Sequence, residues 1–192
     1  MSKSSSRNQV LIGLALAALM ALTRSHHIPG FPHLLDASWA VVFLAGVYLR
    51  PRLVLPLLLA EAVLIDYLAI TYGGVSSFCV SSAYAALAPA YGALWLAGRW
   101  YAGRARFQAD TLVPFTVSLV AGAAACELVS SGSFYYLSGR FAAPTLTGFG
   151  ARLVAYFPGD AQSLLFYVGL AVVTHALLML SRRGAQTGAK AR

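Results

Sequence analysis

Charged residues are scarce in this chain. Asp, Glu, Lys and Arg make up 10% of its 192 residues, against about 25% in a typical soluble domain, whereas 59% are hydrophobic. This composition excludes an ordinary soluble domain and predicts an all-α integral membrane protein in which residues 1–192 form a single bundle.

Cysteine is almost as scarce, with two residues in the whole chain, Cys79 and Cys126. Two cysteines do not make a disulfide framework. They are not arranged as C-x-x-C, the usual redox pair. The phosphate-binding pattern G-x-x-x-x-G-K-[ST] is also missing, so nothing in the chain predicts ATP binding.

Apolar residues are concentrated in six segments, which predict six transmembrane helices. Several are shorter than the ~20 residues that a perpendicular helix needs to cross the hydrocarbon. The second is the least certain span and is also compatible with a segment that enters and returns. We interpret the first as a retained helix, not a cleaved signal peptide. The segments are 8–23, 37–49, 53–70, 82–100, 111–129 and 161–180.

The basic residues predict how the bundle is oriented. If both termini are cytoplasmic, eleven of the fourteen basic residues fall on the inner side, as the positive-inside rule requires. The outer side then holds Arg24, Arg140 and Arg152. Because the inner residues are divided among four separate segments, their charge does not indicate nucleic-acid binding. The eleven are Lys3, Arg7, Arg50, Arg52, Arg99, Arg104, Arg106, Arg182, Arg183, Lys190 and Arg192.

The same orientation places three connections outside, at residues 25–36, 71–81 and 130–160. The last is rich in Gly, Ser and aromatic residues, and a loop of this length is usually functional. The inner connections are short and basic. The asymmetry predicts a site that opens outward.

Cys79 lies in the second outer connection, within TYGGVSSFCVSS. An accessible thiolate in such a polar, Gly-containing loop is a nucleophile or a soft-metal ligand. The alternative is an inert, packed cysteine. Cys126 lies among Ala and Gly, which favours a packing role, although a disulfide with Cys79 stays open.

Three histidines, His26, His27 and His33, share the first outer connection. Together with a thiol they could form a metal site, but the spacing is not typical of zinc, and solvated loop histidines are the alternative. His175 lies in the sixth segment, where we expect a hydrogen-bonded core histidine.

Three acidic residues interrupt apolar segments, and such residues usually face the bundle interior or water. Asp66 and Glu127 lie near the outer ends of their segments, where both could line a pocket. Glu61 is nearer the midplane and fits a structural hydrogen bond as well as a function. Asp36 is the expected N-cap of the second segment.

Aromatic residues crowd the outer side, as either an interfacial belt or the lining of a cavity for a large, partly apolar ligand. The candidate lining residues are Tyr72, Phe78, Tyr84 and Tyr135. On the first segment, Gly13, Ala17 and Ala21 recur every four residues. Such a stripe allows close helix approach, either within the bundle or against a partner membrane protein.

These features resemble the substrate-binding components of energy-coupling factor (ECF) vitamin transporters. The shared features are six helices, about twenty kilodaltons, the Ala-x-x-x-Ala of helix one and an outward aromatic pocket. Within that group, FCVSS after helix three and HH-x-PGFP after helix one look like the BtuM family of small bacterial cobalamin transporters.

The resemblance implies uptake of cobalamin (vitamin B12) across the bacterial inner membrane, with the vitamin as transported ligand and no other cofactor. Cys79 would ligate cobalt on one axial face, and His27 or His26 would be a pocket residue. Ala17 and Ala21 would contact an ECF coupling subunit, which works with ATPases. A thiolate ligand could also displace cyanide from cyanocobalamin, so a decyanation activity is a hypothesis.

Three other functions stay open from the residues alone. The first is a membrane thiol oxidoreductase that uses Cys79 and Cys126. The second is a haem- or metal-handling membrane protein that uses Cys79 with the first-loop histidines. The third is a purely structural membrane subunit, which predicts no ligand at all. Membrane lipid is an expected partner of the cobalamin transporter.

Overall fold

A computed structural model describes residues 6–24, 34–104 and 111–190, without the side chains of Cys79 and of residues 182–190. Over these ranges 84% of the residues are helical and there is no strand, which confirms the all-α class. The six helices are α1 Ser6–Arg24, α2 Ser38–Tyr48, α3 Val54–Tyr72, α4 Leu87–Ala102, α5 Leu112–Leu137 and α6 Leu146–Lys190.

Four of the six helices are long and apolar enough to cross a membrane. They are α1, α3, α5 and the part of α6 from Leu146 to Ser181. Helix α2 has 11 residues and α4 has 16, both fewer than the ~20 that a perpendicular span needs. The structure therefore supports a membrane protein with four candidate spans.

Successive helices run in alternating directions, which gives the bundle two distinct ends. At one, Arg24 of α1 meets Asp66 of α3; we call this the Asp66 end. At the other, the backbone N–H of Arg50 donates to Gln9; we call this the Arg50 end. His175 of α6 stacks on Tyr48, so α6 runs back toward the Arg50 end.

Helix α2 is the centre of the bundle. Eight of its eleven residues are buried, and it packs against each of the other five helices. A helix that is apolar on every side is typical of the buried centre of a bundle or of a membrane span. Its crossing with α4 is close because Gly46 lies on the backbone of Trp95, and Gly98 lies on the backbone of Phe43.

The predicted outer connection at 130–160 is wrong for most of its length. Helix α5 continues to Leu137, and α6 begins at Leu146, well before the predicted start at residue 161. The serines that had indicated a loop form hydrogen bonds within their own helix. Ser130, for example, donates to the Cys126 carbonyl (2.8 Å). Helix α6 also continues through Pro158.

Candidate functional site at the Asp66 end

An ion pair between α1 and α3 is the most strongly bonded polar contact at the Asp66 end. Nε of Arg24 donates to Oδ1 of Asp66 (2.7 Å), and Nη2 donates to Oδ2 (2.6 Å). The side chains are 12% and 25% exposed. Bidentate geometry fixes both groups, so the pair sets the spacing of the two helices at this end.

The remaining guanidinium nitrogen of Arg24 forms hydrogen bonds with two further helices. Nη1 of Arg24 donates to Ser38 Oγ (3.0 Å) and to the Tyr91 hydroxyl (2.9 Å). Asp36 lies 3.9 Å from the same nitrogen and accepts the backbone N–H of Ser38 (2.8 Å). The predicted N-cap is therefore wrong by one residue, because Ala37 occupies the N-cap position of α2. Asp36 still accepts the first backbone N–H of the helix from the position before it.

Tyr84 completes this network from the 3-10 turn Ser82–Ala86, which precedes α4 and lies outside the four candidate spans. Its hydroxyl donates to Oδ2 of Asp66 (2.6 Å). Burial, together with this hydrogen bond, raises the pKa of Tyr84 above its usual value. Tyr84 therefore stays a neutral donor at physiological pH and holds the second oxygen of Asp66.

A cavity of about 410 Å³ lies against this network; we call it the Asp66 cavity. Arg24, Asp36, Asp66 and Tyr84 form its polar part. The rest of its lining is mostly apolar and comes from the end of α3 and the segment after it: Ala69, Ile70, Val75, Ser76, Phe78 and Val80. An apolar wall with a few convergent polar groups is typical of a small-molecule site.

The segment 73–81 forms one wall of the Asp66 cavity. Gly74 has a φ of +69°, which a residue with a side chain rarely adopts. Ser76 accepts the backbone N–H of Phe78 and so starts a 3-10 turn at Ser77–Cys79. Phe78 packs edge-on against Phe134 of α5, with 5.7 Å between ring centroids.

Tyr84 also lines a second cavity, of about 250 Å³, which we call the Glu127 cavity. Trp39, Phe134, Glu127 and Asp160 face it from α2, α5 and α6. Glu127 is buried and accepts a hydrogen bond from Ser131 (2.7 Å). The prediction that Glu127 faces a pocket is therefore confirmed in placement, though its pocket is not the one lined by Asp66.

The structure separates the predicted lining residues into two groups. Asp66, Phe78 and Tyr84 line the Asp66 cavity. Tyr72 does not line it, and its side chain is 79% exposed. Tyr135 is buried elsewhere, where it stacks on Phe149 and accepts the backbone N–H of Thr145, so it stabilises the turn between α5 and α6.

Several predicted site residues lie outside what the structure describes. His26, His27 and His33 are among these, and the side chain of Cys79 is another. Cys79 itself is the last residue of a 3-10 turn, and both of its neighbours, Phe78 and Val80, line the Asp66 cavity. Within the described ranges, no group of three or more His, Cys, Asp or Glu residues is placed to hold a metal ion.

Cys126 is a free, fully buried thiol in α5, as its predicted packing role requires. A disulfide between Cys79 and Cys126 is therefore not present. His175 stacks on Tyr48, and its Nδ1 lies 3.5 Å from the Tyr48 hydroxyl, in agreement with a hydrogen-bonded core histidine.

The small-residue stripe of α1 partly faces a groove. Gly13 and Ala17 line an apolar groove between α1 and α3 at the Arg50 end, whereas Ala21 is not among the groove residues. Docking of a partner membrane protein at this stripe stays a prediction.

Arg24 and Tyr91 were not predicted as site residues. Arg24 was treated as one of the three outer basic residues. A usable signal was present: Arg24 ends one apolar segment, and Asp36 and Asp66 lie near the ends of the next two. A lone cation at the same membrane depth as two carboxylates is expected to pair with them.

No family model matches this chain, and no curated protein is significantly similar to it. The candidate site therefore rests on its own geometry.

Proposed function

We propose that this protein takes up cobalamin across the bacterial inner membrane and binds it at the Asp66 cavity, with Cys79 as an axial cobalt ligand. One observation carries the proposal: the residues on both sides of Cys79, Phe78 and Val80, line a cavity whose far side is polar. A thiolate at this position would be a strong donor to the cobalt of a corrin.

The chemistry of the cavity suits this ligand class. A corrin presents an apolar ring with amide side chains around it. Phe78 and Ile70 provide apolar contact, and the Arg24 and Asp66 side chains provide donors and acceptors for amides. A corrinoid is larger than 410 Å³, so the proposal requires the segment 73–81 to move outward on binding. His27 or His26 would complete the pocket from the first outer connection.

Both termini would be cytoplasmic, which puts the basic Arg50 end inside and the Asp66 cavity outside. An ECF-type coupling subunit would dock on the stripe of Gly13, Ala17 and Ala21, and its ATPases would supply energy. Decyanation would be a ligand exchange: the Cys79 thiolate bonds cobalt, and cyanide leaves with the electron pair of the cobalt–carbon bond. Cobalt stays Co(III), so no oxidant or reductant is needed.

Visible spectroscopy of purified protein mixed with hydroxocobalamin tests the proposal. We expect a shifted corrin spectrum and co-elution of the vitamin, both lost in Cys79→Ala and retained in Cys126→Ala. A spectrum that the protein does not change would contradict the proposal. A spectral response to haem, with none to cobalamin, would favour a haem-handling protein instead.

A further inference from the structure

The Glu127 cavity, of about 250 Å³, has an acidic lining without a basic counterpart. Glu127 of α5 and Asp160 of α6 contribute carboxylates, and none of the described lining residues is Lys, Arg or His. The cations described at the Asp66 end do not compensate this charge. Three arginines there make their contacts outside the cavity, namely Arg24, Arg140 and Arg152.

Glu127 is the buried carboxylate of the two, with 3% of its surface exposed. Its Oε1 accepts a hydrogen bond from Ser131 (2.7 Å), whereas its Oε2 has no hydrogen bond or ion pair with any described residue. Glu127 lies within α5, one of the candidate spans. A charge inside a span is costly and usually meets a partner in a cavity. The unpaired oxygen of Glu127 therefore indicates a cationic occupant.

Aromatic side chains in the same cavity indicate which kind of cation fits. Trp39 of α2, Tyr84 of the turn before α4 and Phe134 of α5 all line it. The faces of such rings attract organic ammonium groups, and aromatic walls are a common recognition device for them. A hard metal ion instead needs several oxygen ligands. Within the described ranges, no three His, Cys, Asp or Glu side chains are placed to hold one.

We propose that the Glu127 cavity binds an organic ammonium group, with Glu127 as its counter-ion and the three aromatic residues as its walls. Asp160, which is exposed, adds a second negative charge on the side where the cation enters. The cavity is smaller than the about 300–1,000 Å³ of sites for drug-sized ligands, so it admits a small amine or the amine headgroup of a lipid. Among its described lining residues, it shares only Tyr84 with the Asp66 cavity, so the inference does not rest on cobalamin.

Protonation of Glu127 is the alternative, because a neutral carboxyl group needs no counter-ion. A protonated Glu127 would keep its hydrogen bond from Ser131 and give the cavity no preference for any cation. The two cases differ in their response to tetramethylammonium, an ion that offers charge and methyl groups but no hydrogen-bond donor.

Calorimetric titration of the purified protein with tetramethylammonium chloride tests the proposal, with sodium chloride at equal ionic strength as the control. We expect saturable binding of tetramethylammonium and none of sodium. Glu127→Gln keeps an oxygen that accepts from Ser131 but removes the charge, and it should weaken binding about thirtyfold or more. Glu61→Gln is the matched control, since the same change on a carboxylate outside this cavity should leave the affinity unchanged.

The aromatic wall and the source of the amine are tested separately. Trp39→Leu should weaken tetramethylammonium binding about fivefold through loss of the ring. Free ethanolamine that binds with the same dependence on Glu127 would identify a soluble amine as the ligand. A higher unfolding temperature in phosphatidylethanolamine than in phosphatidylglycerol nanodiscs, lost in Glu127→Gln, would identify a lipid headgroup.

Three results would overturn the inference. They are an equal response to tetramethylammonium and sodium, tetramethylammonium binding that Glu127→Gln does not change, and binding that Trp39→Leu does not weaken. The first comparison uses the wild-type protein, so it is decisive even if a variant does not fold. Since the assay contains no cobalamin, its failure is distinct from failure of the cobalamin proposal, which the corrin spectrum decides.

Discussion

Among the residues that the structure describes, Arg24 is the single cation in a network that joins four helices at the Asp66 end. It pairs with Asp66 through two bonds and also donates to Ser38 and Tyr91. Both members of the pair lie within candidate spans, where an uncompensated charge has little water to solvate it. The network therefore fixes the polar part of the Asp66 cavity before any ligand arrives.

Loss of the carboxylate should destabilise the protein strongly. Asp66→Ala leaves Arg24 with Asp36 at 3.9 Å as its nearest carboxylate. Breaking a buried ion pair costs about 3–5 kcal/mol, and thermal unfolding in detergent measures the loss. Tyr84→Phe is the matched control, since it removes one hydrogen bond to Asp66 and should cost less, about 1.5–3 kcal/mol. An Asp66→Ala protein as stable as wild type would show that the ion pair does not stabilise the fold.

Phe78 and Tyr72 give a second test at the residue scale. Phe78 lines the Asp66 cavity, whereas Tyr72 lies outside the lining and is 79% exposed. If cobalamin binds there, Phe78→Ala should weaken it about tenfold through loss of apolar contact, and Tyr72→Ala should have no effect. Equilibrium titration of the corrin spectrum measures both affinities. Equal effects, or a larger one at Tyr72, would place the ligand elsewhere.

At the scale of elements, the crossing of α2 and α4 holds the centre of the bundle together. The two glycines at the crossing, Gly46 and Gly98, each lie against backbone atoms of the other helix. Backbone cannot move aside as a flexible side chain can. A methyl group at either position would therefore push the helices apart.

Gly46→Ala should destabilise the protein by about 1–3 kcal/mol or more, because it overpacks this crossing. Gly92→Ala, on α4 with no atom within 4 Å of the new methyl group, should instead stabilise by about 0.5–1 kcal/mol. Parallel thermal unfolding in detergent compares the two variants. A Gly46→Ala protein that unfolds no earlier than Gly92→Ala would contradict the close crossing.

The elements also show what the sequence could predict. Hydrophobic runs located the first four helices to within a few residues, because apolar length is a strong signal in a membrane protein. The ends of α5 and α6 were misjudged, since Ser130 and Ser131 are typical of loops unless their hydroxyls find partners within the helix. Those partners are the Cys126 carbonyl and Glu127, and composition does not reveal them.

The candidate site was also predictable in part from the apolar segments. Asp66, Phe78 and Tyr84 were chosen because they were polar or aromatic and close to one end of an apolar segment. The pairing of Arg24 with Asp66 joins residues 42 positions apart, and a single sequence does not record such a contact. Tyr135 was chosen by the same criteria as Tyr84, but it packs in a separate aromatic cluster.

At the scale of the whole molecule, charge distinguishes the two ends. Arg50, Arg52, Arg99 and Arg104 are at the end opposite the Asp66 cavity. If the positive-inside rule holds for this bundle, this end would face the cytoplasm and the Asp66 cavity would face outward. An outward cavity is what capture of an external ligand requires.

Cysteine labelling in intact cells tests this orientation. In a background of Cys79→Ala and Cys126→Ala, Ser138→Cys should react with a membrane-impermeant maleimide, because it lies at the Asp66 end. Gly103→Cys, at the end of α4 near the Arg50 end, should react only after the cells are opened. The reverse labelling pattern would indicate the opposite orientation, with the Asp66 cavity on the cytoplasmic side.

Cobalt X-ray absorption of the protein loaded with hydroxocobalamin tests directly whether Cys79 ligates cobalt. We expect a sulfur atom in the cobalt coordination shell of the wild-type protein and of Cys126→Ala, and none in Cys79→Ala. A shell made of nitrogen, carbon and oxygen alone in the loaded wild-type protein would contradict it.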